Sequence, residues 1–183
     1  HREAPWAIIN AAAYTAVDKA EDDPAAFVIN GDAPTAMAKA AAKRRIPFIH
    51  VSTDYVFNGT GTAPWQAADR PDPVNAYGRS KLAGETGVCD AGGAHAIIRT
   101  SWVFSSHGSN FVKTMLRLSE TRSKLSVVDD QTGGPTPASA LAAACMAAAS
   151  ALVRDSGKSG TGGNHGRNAR NHRKDLRNPS GAG

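Results

Sequence analysis

Short β-branched runs alternate with alanine-rich helical stretches along most of this chain, and that alternation limits the fold more than any single motif. Ala7-Ile8-Ile9-Asn10 reads as a buried strand running into a loop. A helix is expected over residues 33–45, with Asp32 as N-cap and Pro34 in the first turn. Residues 48–52 read as a strand, followed by a long polar loop with an Asn58-Gly59 turn. A helix over 75–88, a strand at 96–99, a helix over 111–119, a strand at 125–128 and an alanine-rich helix over 138–153 complete the pattern. Strand–helix alternation at this spacing predicts an α/β fold: a doubly wound parallel sheet with helices on both faces.

The chain has 183 residues, 41% hydrophobic and 20% charged, which excludes wholesale disorder and gives one domain of ordinary size. The formal charge of +5 is unevenly spread. Residues 154–183 carry seven Lys/Arg against two Asp/Glu, whereas residues 1–153 carry fourteen of each sign. The body is therefore neutral, and a nucleic-acid partner loses its main support. Residues 1–153 are expected to form the domain. Residues 154–183, rich in Gly, Asn, Arg and His, are expected to form a basic tail, disordered from Ser156 onward. A basic RNA-binding arm is the functional alternative, but the tail has no aromatic residue to stack on bases. The two cysteines, Cys89 and Cys145, are too few for a disulfide scaffold, so a reducing compartment, the cytoplasm, is expected. The apolar stretch at 138–153 is mostly alanine, too weakly hydrophobic to hold in lipid, and HREAPWAIIN does not read as a signal peptide. No membrane partner is expected.

In open parallel sheets, ligands sit beyond the C-terminal ends of the strands. The first strand leads into Asn10-Ala11-Ala12-Ala13-Tyr14-Thr15, whose small side chains allow close approach of a ligand. A tight loop packed on a helix is the other reading. The second leads into Ser52-Thr53-Asp54-Tyr55-Val56-Phe57, where a hydroxyl can polarise a carbonyl or simply cap a turn. Tyr77 and Lys81 lie four apart on the next helix, hence on one face. A tyrosine of ordinary pKa, about 10, is a poor acid–base group at neutral pH, and a nearby ammonium lowers that value. A surface helix pair is the alternative. Taken together, the three segments supply a carbonyl polariser, a tuned acid and a cation, which is what ketone reduction by hydride requires.

Six blocks go further: IINAAAYTAVDKAE at 8–21, IHVSTDYVFNGTG at 49–61, NAYGRSKLAGE at 75–85, IIRTSWVF at 97–104, NFVKTMLRL at 110–118 and VVDDQTGGPT at 127–136. Across them the chain resembles the dTDP-4-dehydrorhamnose reductase family of the extended short-chain dehydrogenase/reductase superfamily. The resemblance implies a Rossmann domain with a smaller sugar-nucleotide domain. It implies reduction of dTDP-4-dehydro-L-rhamnose to dTDP-L-rhamnose by NADPH, or by NADH in some members. Tyr77 is then the proton donor, Lys81 the cation that tunes it and binds the nicotinamide ribose, and Thr53 the carbonyl polariser. Ala12, Ala13, Tyr14 and Thr15 line the cofactor; Thr53, Asp54 and Trp102 meet the sugar nucleotide. Trp102 has packing as its other reading, Arg99 reads as structural, and the DQTGGPT loop has no derived role. Some family members dimerise around Mg²⁺ through ligands outside these blocks. A homodimer is therefore compatible with the resemblance, and no metal residue is assigned.

Two departures qualify this. The family opens with a strand, a Gly-rich turn and a helix that hold the cofactor pyrophosphate. This sequence opens at what corresponds to the family's fourth strand, so the fold is expected to be partial, with its first strands missing. After about Gly160 the resemblance stops, as a shifted reading frame would produce. An exposed edge strand, instability and no reductase activity of the isolated chain are the expectations. Two alternatives remain: a non-catalytic, cofactor-binding regulatory subunit resembling that of methionine adenosyltransferase, and another sugar-nucleotide reductase or epimerase.

Overall fold

A computed structural model describes residues 5–127 and 131–158. In chain order the elements are β1 (Ile8–Asn10), α1 (Ala25–Phe27), α2 (Ala33–Lys43), β2 (Phe48–Thr53), α3 (Ala76–Asp90), β3 (His95–Thr100), β4 (Val103–Phe104), α4 (Phe111–Ser119), β5 (Thr136–Pro137) and α5 (Ala138–Lys158). Strands β1, β2 and β3 form one parallel sheet in that order, with Ile8 opposite Phe48 and Phe48 opposite His95. The α/β class read from the alternation is present, with helices on both faces.

The layers follow from the period-2 alternation of β2. Phe48 packs with Ala38, Ala41 and Ile46 and with Val88 of α3 on one face, while Ile49 packs with Cys145 and Ala149 of α5 on the other. Ile97 and Ile98 of β3 divide between the same two clusters. Helix α5 is apolar enough, by length and composition, to cross a membrane, but here its Cys145–Ala149 stripe lies on the sheet. Its helical backbone continues beyond Val153 to Lys158, through the first residues assigned to the tail. Residues 159–183 of that tail lie outside the described residues.

Two local expectations are corrected. Asp32 is not an N-cap: its backbone is helical and its side chain makes no cap bond. Helix α1 instead runs through a π turn (Val28–Asp32) straight into α2. Pro34 is the physical reason, since it has no N–H for the Asn30 carbonyl and its ring would clash there in a regular helix; the wider turn relieves both. Leu125 to Val127 form no strand, and Val128 lies outside the described residues. Leu125 and Val127 are exposed and have no strand beside them among the described residues. The short parallel pair β4–β5, unforeseen in the sequence, aligns Val103 with Thr136.

Helix α3 is fixed at its start from two directions. The Asn75 side chain accepts from the Gly78 amide at 2.7 Å, as expected of an N-cap. Glu21 reaches across from the Asp18–Glu21 turn, accepts from the Ala76 amide at 2.6 Å and pairs with Arg79 at 3.2 Å. Glycines let the helix seat closely: a Cβ at Gly78 would meet the Tyr55 carbonyl, and one at Gly84 the Asn30 carbonyl.

Candidate active site

Strand β2 ends in Thr53, which is buried and caps the short turn Asp54–Val56 by accepting from the Tyr55 amide at 3.2 Å. Its hydroxyl donates to Asp54 Oδ1 at 3.1 Å. Tyr77, in the first turn of α3, meets Tyr55 edge to face at a centroid distance of 5.5 Å. Burial pushes the Tyr77 phenol up from its ordinary value, and a hydrogen bond with Thr53 pulls the other way. Asp54 is also raised by burial, opposed by its hydrogen bond with Thr53.

Lys81 lies one turn beyond Tyr77 and is 1% exposed. Its ammonium donates to the Val51 carbonyl at 2.8 Å. Burial depresses it to about 8, against an opposing pull from Glu85. The expected lowering of Tyr77 by Lys81 is not seen in this arrangement: desolvation dominates the phenol, and the ammonium faces the β2 backbone.

The loop after β1 joins this group through Asn30, a residue that sequence reasoning missed. Buried in the π turn, its side chain accepts from the Tyr14 amide at 2.9 Å and donates to the Tyr14 carbonyl and to Ser80 Oγ, both at 3.0 Å. Ser80 in turn donates to the Tyr77 carbonyl at 2.7 Å. One amide thus ties the Ala12–Thr15 loop to the helix carrying Tyr77 and Lys81. Tyr14 also donates to Asp23 at 3.0 Å and packs near Tyr77. Ala12, its amide bound to Asn10 Oδ1 at 3.2 Å, is exposed, as is Thr15; Ala13 is half-buried. The only sequence signal for Asn30 was a polar residue in an apolar VIN run just before Pro34.

Beside Asp54 and Tyr55 opens a cleft of about 1010 Å³, walled by Phe57, Trp65 and Trp102 and by residues 131–134. Trp65 stacks on Phe57 at 4.7 Å, and the Arg99 guanidinium lies 5.0 Å from the centre of the Phe57 ring. Arg99 is held by Glu85 of α3 through Nε at 3.0 Å and Nη2 at 2.7 Å. Thr53, Asp54, Tyr77 and Lys81 therefore meet at the C-terminal end of β2, and Trp102 forms part of the adjoining wall.

The residues present fit the nicotinamide–ribose end of a dinucleotide. The Lys81 ammonium has three donors and one acceptor among the described residues, leaving donors for a diol. No glycine-rich strand-to-helix turn for a pyrophosphate occurs among them. Nor does any group of three His, Cys, Asp or Glu able to hold a metal ion.

The RmlD substrate binding domain model matches residues 1–172. The chain belongs to that family. It is 51% identical to a dTDP-4-dehydrorhamnose reductase of Sinorhizobium fredii over 154 residues, which cover 84% of this chain and 52% of that protein. The crystal structure of a dTDP-4-dehydrorhamnose reductase from Clostridium acetobutylicum superposes with a TM-score of 0.78 at 40% identity, covering 81% of this chain and 53% of the other. The Bacillus anthracis enzyme, crystallised with NADP, gives 0.76 at 40% identity, covering 83% and 53%. The chain spans about half the length of the curated relatives it matches.

Proposed function

We propose that this chain carries the catalytic face of a dTDP-4-dehydrorhamnose reductase, which reduces the 4-keto group of dTDP-4-dehydro-L-rhamnose to give dTDP-L-rhamnose. The observation that carries the reading is the meeting of Thr53, Tyr77 and Lys81 at the end of β2, within a chain of this family. A bound reduced nicotinamide, from NADPH or NADH, supplies the hydride. The remaining work falls to this chain. Thr53 turns its one hydroxyl proton from Asp54 to the ketone oxygen of the bound sugar and draws charge toward it. Tyr77 gives its phenolic proton to that oxygen as C4 is reduced, so the carbonyl becomes a secondary alcohol. Burial keeps the phenol protonated at neutral pH, the form a proton donor needs. Lys81, with donors left beside its bond to the Val51 carbonyl, would hold the ribose of the cofactor. Ala12, Ala13, Tyr14 and Thr15 line the cofactor, while Asp54 and Trp102 meet the sugar.

A sugar-nucleotide reductase of this kind is a cytoplasmic enzyme with a dTDP-sugar as its partner molecule, and a homodimer is a compatible assembly. The test is oxidation of NADPH by the dTDP-4-keto sugar with the full-length gene product. Tyr77→Phe is expected to lower turnover by about 10²- to 10⁴-fold, the range for loss of a positioned acid. Unchanged turnover would remove Tyr77 as the donor; turnover with other keto sugars alone would remove the substrate.

A further inference from the structure

The DQTGGPT loop acquires a role once Trp102 is seen against it. Trp102 sits between β3 and β4 with φ of 44°, a left-handed backbone that a bulky residue adopts only where its surroundings hold it there. Both flanks are tied to the loop: Ser101 Oγ donates to the Gly134 carbonyl at 2.8 Å, and the Thr136 amide donates to the Trp102 carbonyl at 3.2 Å. The indole lies directly over Gly133. A Cβ there would stand 3.0 Å from Cε2, 3.1 Å from Cζ2 and 3.3 Å from Cδ2, closer than ordinary van der Waals contact. Gly133 is not in the positive-φ region, so its own backbone does not demand glycine; the ring does. A Cβ at the adjacent Gly134 would meet nothing within 4 Å. The half-exposed indole forms one wall of the cleft whose other side begins at Asp54.

We propose that Gly133 is a specificity-determining residue: by leaving room for the Trp102 indole, it sets where that aromatic wall meets the sugar ring of a dTDP-6-deoxyhexose. This rests on the reductase reading above, which makes Trp102 a sugar contact. An indole offers a large flat apolar face, suited to the C–H face of a pyranose, and a methyl at residue 133 would push that wall by a few tenths of an ångström, out of its best contact with the sugar. The nucleotide end of the ligand does not depend on that wall.

The experiment compares dTDP-L-rhamnose with dTDP as ligands of the full-length gene product. Gly133→Ala is expected to weaken dTDP-L-rhamnose about tenfold, the scale of one misplaced methylene in a pocket, and dTDP much less. Gly134→Ala should have the smaller effect of the two. In a Trp102→Ala background, Gly133→Ala should add nothing, since the group it displaces is gone. In the 183-residue chain, whose three tryptophans are Trp6, Trp65 and Trp102, replacing the first two by Phe should leave a Trp102 emission that shifts on Gly133→Ala even without ligand. Equal weakening with and without Trp102, or equal weakening of dTDP, would overturn the proposal. An emission shift without any change in sugar affinity would overturn the specificity role while leaving the Tyr77 turnover result standing. Loss of turnover chemistry itself would instead indict the reductase reading.

Discussion

His50 is fully buried on β2, with Nδ1 3.1 Å from Asn10 Nδ2 and Nε2 without a partner among the described residues. With the Asn10 amide donating, Nδ1 accepts and the ring proton is assigned to Nε2. Burial, reinforced by the charge on Lys81, lowers the ring from 6.5 to about 4. The folded value lies below the unfolded one. The neutral ring's contribution to stability is therefore complete above pH 6.5 and is lost as the pH falls through about 4. Across that window the stability read by urea unfolding should fall by about 3.5 kcal/mol at most from this ring, at about 1.4 kcal/mol per pKa unit. The His50→Gln variant should lose correspondingly less over the same window; an equal loss would show that other groups carry the pH dependence. The consequence reaches the site, because Asn10 also holds the Ala12 amide at the start of the Ala12–Thr15 loop.

Helix α3 carries Tyr77 and Lys81, and its seating rests on contacts that a helix considered alone would not suggest. In an exposed helix, Gly→Ala stabilises by about 1 kcal/mol. At Gly84 the sign should reverse, because the methyl meets the Asn30 carbonyl and stands 3.2 Å from Pro34 Cγ. Gly84→Ala is expected to destabilise by about 1–3 kcal/mol, the usual range for overpacking, read as a drop in melting temperature. A gain would mean that α3 can move off the π turn freely. The tie between α3 and β3 is the Arg99–Glu85 pair, with the Glu85 side chain 5% exposed. Removing the cation leaves a buried carboxylate without its partner, so Arg99→Met should cost about 3–5 kcal/mol in denaturant unfolding. A cost below about 1 kcal/mol would place the pair with ordinary surface bridges. The reading of Arg99 as structural agrees with this geometry, whereas Glu85 as its partner was invisible fourteen residues away.

At the scale of the molecule, the described residues divide into a well-packed sheet region and a sparsely packed one. Among them β1 pairs only with β2, leaving its other edge open. Helix α4 has no buried residue, and its Phe111 and Leu116 are each 63% exposed. An apolar helical face of this kind promotes association. Sedimentation velocity on the 183-residue chain should reveal concentration-dependent self-association, and the Phe111→Glu/Leu116→Glu variant should reduce it. If the double variant associates as strongly as the parent, the β1 edge is the surface responsible.

The sequence alone determined the three strands of the sheet, the helices α3 and α4, and the pairing of Tyr77 with Lys81 on one face. Each is written in neighbouring residues, through a β-branched run, a helical period of about 3.6 or a spacing of four. Its local readings failed where a distant or missing partner decided the outcome. The run at 125–128 had strand character, but its described residues pair with no strand among the described residues, and Asp32 had cap chemistry but lay inside a helix that Pro34 had widened rather than begun. Tertiary structure alone decided that Asn30 would join the Tyr14 loop to Ser80, that Lys81 would face the Val51 carbonyl, and that Gly133 would lie beneath Trp102. These contacts join residues 16 to 50 positions apart, and no local periodicity records such a separation; only the packing of β2, α3 and the loops against one another brings them together.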